Sequence, residues 1–395
     1  MELLAPAGNM EKFKTALNFG ADAIYLAGKM YGLRAFAGNF DNDELKEATK
    51  LAHEKGVKVY VTVNIVAHNR DFDKLAEYLH FLYEISVDAI IVSDIGIINL
   101  ARKEVPNLDV HVSTQANITN KFAAKFFCDL GVKRLVLARE LSLDEIKEIR
   151  AFIPKDVELE TFIHGAMCIS YSGRCLLSNY LRHRDSNCGA CVQACRWEYT
   201  IKEKNMDNEL TIQEDNRGTY ILNSKDLCLI SHLKELIDAG ISSFKIEGRM
   251  KSVYYVANVV NAYRRALDNL ENPNFNLIEE VEKSSHRKYT TGFYFNEDER
   301  EFLEQSTPVA THDFVCVVLE DSKQNKTLVE QRNMFKKGDE LEILSPSDNF
   351  NKKIIIEKIE DEEGNEVLEA RKVQQKLYIT TSLDLQSGDI LRKEI

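Results

Sequence analysis

Residues 86–115 read SVDAIIVSDIGIINLARKEVPNLDVHVSTQ. Two short apolar runs, Ala89–Asp94 and Val110–Gln115, flank an amphipathic stretch, Gly96–Glu104. Runs this brief and this apolar suit strands that are covered on both faces, as in a parallel sheet. A helix between them makes the segment a strand–helix–strand unit, because two parallel strands need a crossover connection. The same unit recurs on either side. Further strands are expected at Glu2–Ala5, Ala23–Ala27, Lys58–Asn64, Arg134–Ala138, Glu158–His164 and Ser243–Glu247. Helices are expected at Met10–Phe19, Asn42–Lys55, Asp71–Ile85, Asn120–Leu130, Ser142–Phe152, Leu227–Ala239 and Val253–Leu270. Gly20, Gly56, Gly131 and Gly240 stand where left-handed helix C-caps belong, and Ser142-Leu143-Asp144-Glu145 has the form of a capping box.

Eight strands, each followed by a helix, predict an α/β fold: a (β/α)8 TIM-like barrel over residues 1–270. A long Cys-rich insertion then separates strand seven from its helix. Loops of that length inside a compact domain are usually functional, and in a barrel they emerge at the C-terminal face. The strand ends that converge on that face are Asn64, Asp94, Gln115, Arg139, Glu140, His164, Glu247 and Arg249. All are polar although their strands are apolar. Solvent at a strand end explains any one of them, whereas the set of eight points to a mouth that does chemistry. Residues 271–306 read as a linker with a helix. From residue 307 to 395 only β-like runs occur, punctuated by Gly338, Gly364 and Gly388, which predicts a small C-terminal all-β barrel domain.

The chain has 395 residues, is 44% hydrophobic and carries a formal charge of −12. That composition supports a large core and argues against a general nucleic-acid coat, which is usually basic. The first residues lack the basic and apolar regions of a signal peptide, and no run is long enough to span a bilayer. A cytoplasmic location with reduced thiols is expected, so clustered cysteines read as metal ligands or catalysts before disulfides.

Of eight cysteines, five lie in the insertion, at Cys168, Cys175, Cys188, Cys191 and Cys195. Cys191-Val-Gln-Ala-Cys195 supplies two thiols from one turn, Cys168 and Cys175 two more, and Cys188 is a spare. Four thiolates suit either zinc or an iron–sulfur cluster. A single C-x2-C knuckle, Cys188/Cys191, is fewer than zinc fingers show, which favours a 4Fe–4S cluster. Hydrolase signatures such as G-x-S-x-G and H-E-x-x-H are absent, as are a P-loop and a dinucleotide fingerprint.

Several stretches together resemble a known family. They are Glu2-Leu-Leu-Ala-Pro-Ala-Gly8, Glu160-Thr-Phe-Ile-His-Gly-Ala-Met-Cys168, Gly173-Arg-Cys-Leu-Leu-Ser178, Asn223-Ser-Lys-Asp-Leu227, Lys245-Ile-Glu-Gly-Arg249 and Tyr289-Thr-Thr-Gly292. They resemble the collagenase-like peptidase family, family thirty-two of the peptidases of unknown catalytic type. Ala190 through Tyr199, with the β-rich C-terminus, is most similar to its tRNA-hydroxylation branch. The resemblance implies prephenate-dependent formation of 5-hydroxyuridine at the wobble position of tRNA. It also implies a 4Fe–4S cluster on Cys168, Cys175, Cys191 and Cys195, although Cys188 departs from the family pattern.

On that footing, prephenate is expected as co-substrate or ligand and the tRNA anticodon loop as partner. A paralogous protein is a further candidate partner, and no membrane is expected. His164, Glu247 and Arg249 are the catalytic candidates, the first two for proton transfer. Arg139, Arg174 and Arg249 suit carboxylates or phosphates, Gln115 and Asn64 line the mouth, and Tyr171 or Trp197 would stack a base. Two rivals stand beside this reading: a peptidase, as the family label suggests, and a non-catalytic scaffold stapled by a metal.

Overall fold

The computed structural model describes residues 1–32, 38–168, 170–172, 175, 177–182, 184, 191–192, 194, 214–215, 218–219, 225–272, 277–295 and 308–395. Seven parallel strands come first: β1 (Glu2–Pro6), β2 (Ala23–Leu26), β3 (Lys58–Val63), β4 (Ala89–Val92), β5 (Asp109–Val112), β6 (Arg134–Val136) and β7 (Glu158–Ala166). Each pairs with the next. An eighth, Ser243–Ile246, pairs in parallel with both β7 and β1 and closes the barrel. Six of the helices follow the strands in alternation: α1 (Met10–Asn18), α2 (Asn42–Glu54), α3 (Leu75–Glu84), α4 (Ile95–Glu104), α5 (Lys121–Asp129) and α6 (Leu143–Phe152).

Local chemistry explains the element ends. Asp41 and Ser142 cap α2 and α6 through complete capping boxes, and Asp94 accepts from the Ile97 amide at the start of α4. Gly20, Gly56, Gly131 and Gly240 all have positive φ, 92°, 70°, 74° and 91°, as the expected C-caps require. Two elements depart from the sequence reading. The helix expected from Leu227 begins only at Leu233. Before it, Asp226–Cys228 forms a short strand antiparallel to β7, and Tyr289–Thr290 pairs with that strand in turn. The buried ion pair of Arg287 with Asp226, 2.5 Å, together with the Arg287 backbone N–H donating to the same carboxylate at 3.1 Å, holds the two segments together. Only tertiary partners far apart in sequence create this pairing, so no local pattern announces it.

The barrel interior is apolar in part, with Leu4, Ala23, Tyr25, Tyr60, Ala89 and Ile91 in one cluster. Toward the strand starts it is charged. Arg134 donates to Glu2 at 2.5 Å and to Glu160 at 3.0 Å, and Lys245 donates to Glu160 at 2.7 Å. Ser243 bridges Glu2 and Glu160, and the Tyr60 hydroxyl donates to Glu2 at 2.6 Å. Glu160 is fully buried. Burial, and then the charges of Arg134 and Lys245, hold neighbouring His111 well below the ordinary imidazole range, so it is neutral.

Compact grouping divides the chain into two units. The first contains residues 1–13, 21–250 and 286–308; the second contains 14–20, 251–285 and 309–395. In the second, a seven-stranded antiparallel sheet surrounds a core that includes Val315, Val329, Leu341, Ile359 and Leu377. The helix Val253–Asp268 belongs to this unit. There Arg392, wholly buried, meets Glu280 at 2.7 Å and Glu342 at 2.5 Å and donates to Asn258 at 2.8 Å. Among the described residues no helix is long and apolar enough to cross a membrane.

Candidate functional site

Alternation along a strand puts residues i, i+2 and i+4 on one face. Tyr60 lies in the interior cluster, so Thr62 and Asn64 continue its face upward to the C-terminal end of β3. Asn64 donates to the Gln115 side chain at 2.6 Å, and the Ser113 hydroxyl contacts the same Gln115 oxygen at 3.3 Å. Arg249, just past the eighth strand, reaches into this face. Its guanidinium donates to Asn39 at 2.6 Å and to Thr62 at 3.5 Å, and the residue is 4% exposed. Asn64, Gln115 and Arg249 therefore share one mouth, as the strand-end pattern predicts.

His164 and Glu247 are joined through the backbone. The Glu247 amide donates to the His164 carbonyl at 2.9 Å. The His164 ring is buried, with the Tyr289 ring 5.3 Å away and His286 stacked on Tyr289 at 4.6 Å. The sequence reading quoted Tyr289 within a motif but did not place it or His286 beside His164, because residues 271–306 read as a linker with a helix. Asp94, by contrast, serves as a helix cap.

The remaining mouth residues anchor the cysteine stretch. Arg139 donates to the Ala166 carbonyl at 2.8 Å, where β7 ends, with its guanidinium 5.2 Å from the Phe162 ring. Glu140 accepts from the Ser172 amide at 2.9 Å and from its hydroxyl at 3.2 Å. Ser178, buried in the short helix Leu177–Arg182, donates to the Arg184 carbonyl at 2.6 Å and accepts from the Val192 amide at 3.1 Å. That second bond brings residue 192, next to Cys191, onto the helix that begins two positions after Cys175.

Cys168 and Cys191 are exposed, Cys175 is half-buried, and all three are thiols outside any disulfide. Tyr171, between the first two ligand candidates, is 60% exposed. Cys195, Cys188, Arg174 and Trp197 lie outside the described residues. Among the described residues no three His, Cys, Asp or Glu side chains converge as a metal site. The donor chemistry of the stretch still fits a thiolate-bound group: three reduced thiols on one anchored loop, with Cys195 four positions past Cys191.

Comparison with known proteins bears on what this mouth belongs to. Residues 8–304 match the model of peptidase family U32, and residues 310–392 match that of the peptidase family U32 C-terminal domain. The chain belongs to peptidase family U32. The resemblance carried by the motifs around His164, Cys175 and Arg249 thus holds. Among U32 relatives, tRNA hydroxylation protein P1 of Bacillus subtilis is 42% identical over 99% of this chain and 94% of its own length. The tRNA hydroxylation protein P of Escherichia coli is 37% identical over 92% of this chain and 90% of its own. A 23S rRNA 5-hydroxycytidine synthase of Escherichia coli is 40% identical over 68% of this chain and 39% of its own.

Proposed function

We propose that this U32 chain hydroxylates a tRNA base, forming 5-hydroxyuridine at the wobble position with prephenate as co-substrate or ligand. The observation that carries the reading is the 42% identity, over 99% of the chain, to a relative named for tRNA hydroxylation. The polar mouth beside a thiol-bearing loop supports it. Cys168, Cys175, Cys191 and Cys195 would hold a 4Fe–4S cluster. When bound, such a cluster supplies electron transfer at a potential set by hydrogen bonding and solvent exposure.

The chain's own residues do the rest. Arg139 and Glu140 fix the start of the cysteine loop against the barrel rim. Arg249 offers a buried guanidinium to a carboxylate, and Asn64 with Gln115 offers amide groups to a ring. Exposed Tyr171 presents a face on which an unstacked base can lie, a role shared with Trp197. His164 and Glu247 hold the proton-transfer positions, with the imidazole shielded by Tyr289. The substrate places the protein in the cytoplasm.

The test combines two readouts on protein purified without oxygen. About four iron and four sulfide per chain are expected, lost in Cys168→Ser and Cys191→Ser. In a strain lacking the gene, mass spectrometry of tRNA nucleosides should show 5-hydroxyuridine restored by the wild type and by neither variant. Zinc without sulfide supports the stapled scaffold instead. Peptide cleavage that survives both substitutions, with tRNA unmodified, restores the peptidase reading.

A further inference from the structure

The outer wall of the barrel carries an apolar face that the mouth does not use. On α5, Ala124 and Phe127 are buried against the body of the protein. Phe122 and Phe126, four positions apart and so one above the other, stand on the side away from them and are 69% and 50% exposed. Phe152, in the last turn of α6, is 44% exposed and meets Phe122 edge to face, with ring centroids 5.3 Å apart. Together the three rings leave about 250–400 Å² of apolar surface in water. An apolar patch of that size on one chain commonly marks a contact surface.

The charges around the rings decide the partner. Lys121 pairs with Glu148 at 3.1 Å, and its ammonium stands 5.9 Å over the Phe152 ring. Lys147 pairs with Asp144 at 3.1 Å, and Lys125 with Asp129. These are all the lysines of the two helices, and Arg150 donates to the carbonyls of Val157 and Ile153. Neither helix therefore keeps a cation for a phosphate backbone or an anionic membrane. The rim instead alternates both signs, with a carboxylate for each lysine. Such a surface is complementary to itself, because a twofold axis turns the lysines of one copy toward the carboxylates of the other.

We propose that the α5–α6 face docks a second copy of this chain in a twofold-symmetric dimer. Phe122, Phe126 and Phe152 form its centre, and the three ion pairs form its rim. The area agrees with this assignment. A standard interface takes about 800 Å² from each partner, and the rings supply roughly a third to a half of that. The stems of the flanking lysines and their carboxylate partners supply surface around them, which matches an apolar centre within a polar rim. The proposal does not depend on the chemistry at the mouth.

Sedimentation velocity on the full chain, loaded at about 1–100 μM, reads the mass directly. The wild type should move from the 45.2 kDa of one chain toward twice that value as concentration rises. In a symmetric interface each substitution is felt in both copies. Phe122→Ser should therefore raise the dimer dissociation constant about a hundredfold or more, and Phe126→Ser likewise. Both rings are exposed, so these variants should melt with the wild type at the dilute end. Lys121→Glu should weaken the dimer, and Lys121→Glu/Glu148→Lys, which restores the balance of the rim, should recover it. A wild type that stays at one chain mass throughout overturns the proposal, as does a dimer that survives both serine variants. A gel shift in which Phe122→Ser loses tRNA at unchanged mass gives the face to RNA and also overturns it.

Discussion

Replacing Arg134 by methionine tests whether the charged floor of the barrel is a balanced network. Arg134 donates to Glu2, Glu158, Glu160 and Ser243. Removing one partner of a buried ion pair destabilises by about 3–5 kcal/mol, because a charge is left without compensation. Here the loss falls unevenly. Glu2 and Glu158, with side chains 14% and 34% exposed, rehydrate, while Glu160 is fully buried and keeps only Lys245 and Ser243. The low end, about 3 kcal/mol, is therefore expected, which corresponds to a Tm lowered by roughly 6–12 °C. Differential scanning calorimetry measures it, with the transition of the barrel unit followed separately. The double variant Arg134→Met/Glu160→Gln should lose more, since it leaves the buried Lys245 ammonium without its carboxylate. A single-variant shift below about 2 °C, or a double variant more stable than Arg134→Met alone, would refute the reasoning. The pH dependence has a fixed sign. Burial pushes the Glu2 carboxyl up, but its bonds to Arg134, Tyr60 and Ser243 outweigh that and hold it below its ordinary 4.5. A depressed carboxylate contributes stability above the ordinary value and loses it as pH falls through the lowered one. The gap between wild type and Arg134→Met should thus narrow in acid.

Three further outcomes are expected. Glu140→Ala removes the acceptor for both the Ser172 amide and hydroxyl, so amide exchange at Ser172 should speed up by about tenfold or more. Arg392→Met strips the buried cation from Glu280 and Glu342, lowering the stability of the second unit by about 3–5 kcal/mol; hydrogen exchange should quicken in its seven-stranded sheet and not in β2 to β5. Gly240→Ala places a Cβ 2.5 Å from Arg150 Cγ at a φ of 91°, so a loss of about 1–3 kcal/mol is expected in chemical denaturation.

The barrel was legible because parallel strands covered on both faces carry their signal locally. Ala89–Val92 is a short apolar run bounded by Asp88 and Ser93, and Ser142 and Gly240 mark helix ends through their own chemistry. The mouth was legible in part for the same reason, since Asn64, Gln115 and Arg249 each stand where an apolar run stops. What escaped depends on partners distant in sequence. Asp226–Cys228 reads as the start of a helix until Arg287 and Tyr289 are placed beside it. Glu160, Lys245 and Arg134 read as ordinary strand residues, because nothing local says that their side chains meet inside the barrel.

The barrel seam joins the second residue of the chain to residue 243, through the pairing of Glu2 with Ser243. Ribosomes add about 5–20 residues per second, so β1 waits on the order of ten to fifty seconds for the strand that completes it. Cys168 to Cys195 are synthesised within that interval. The thiols leave the ribosome on an open chain, before the wall behind them exists. Anything that acts on those cysteines meets them first as a nascent segment, and the order of synthesis alone gives it access before the barrel closes.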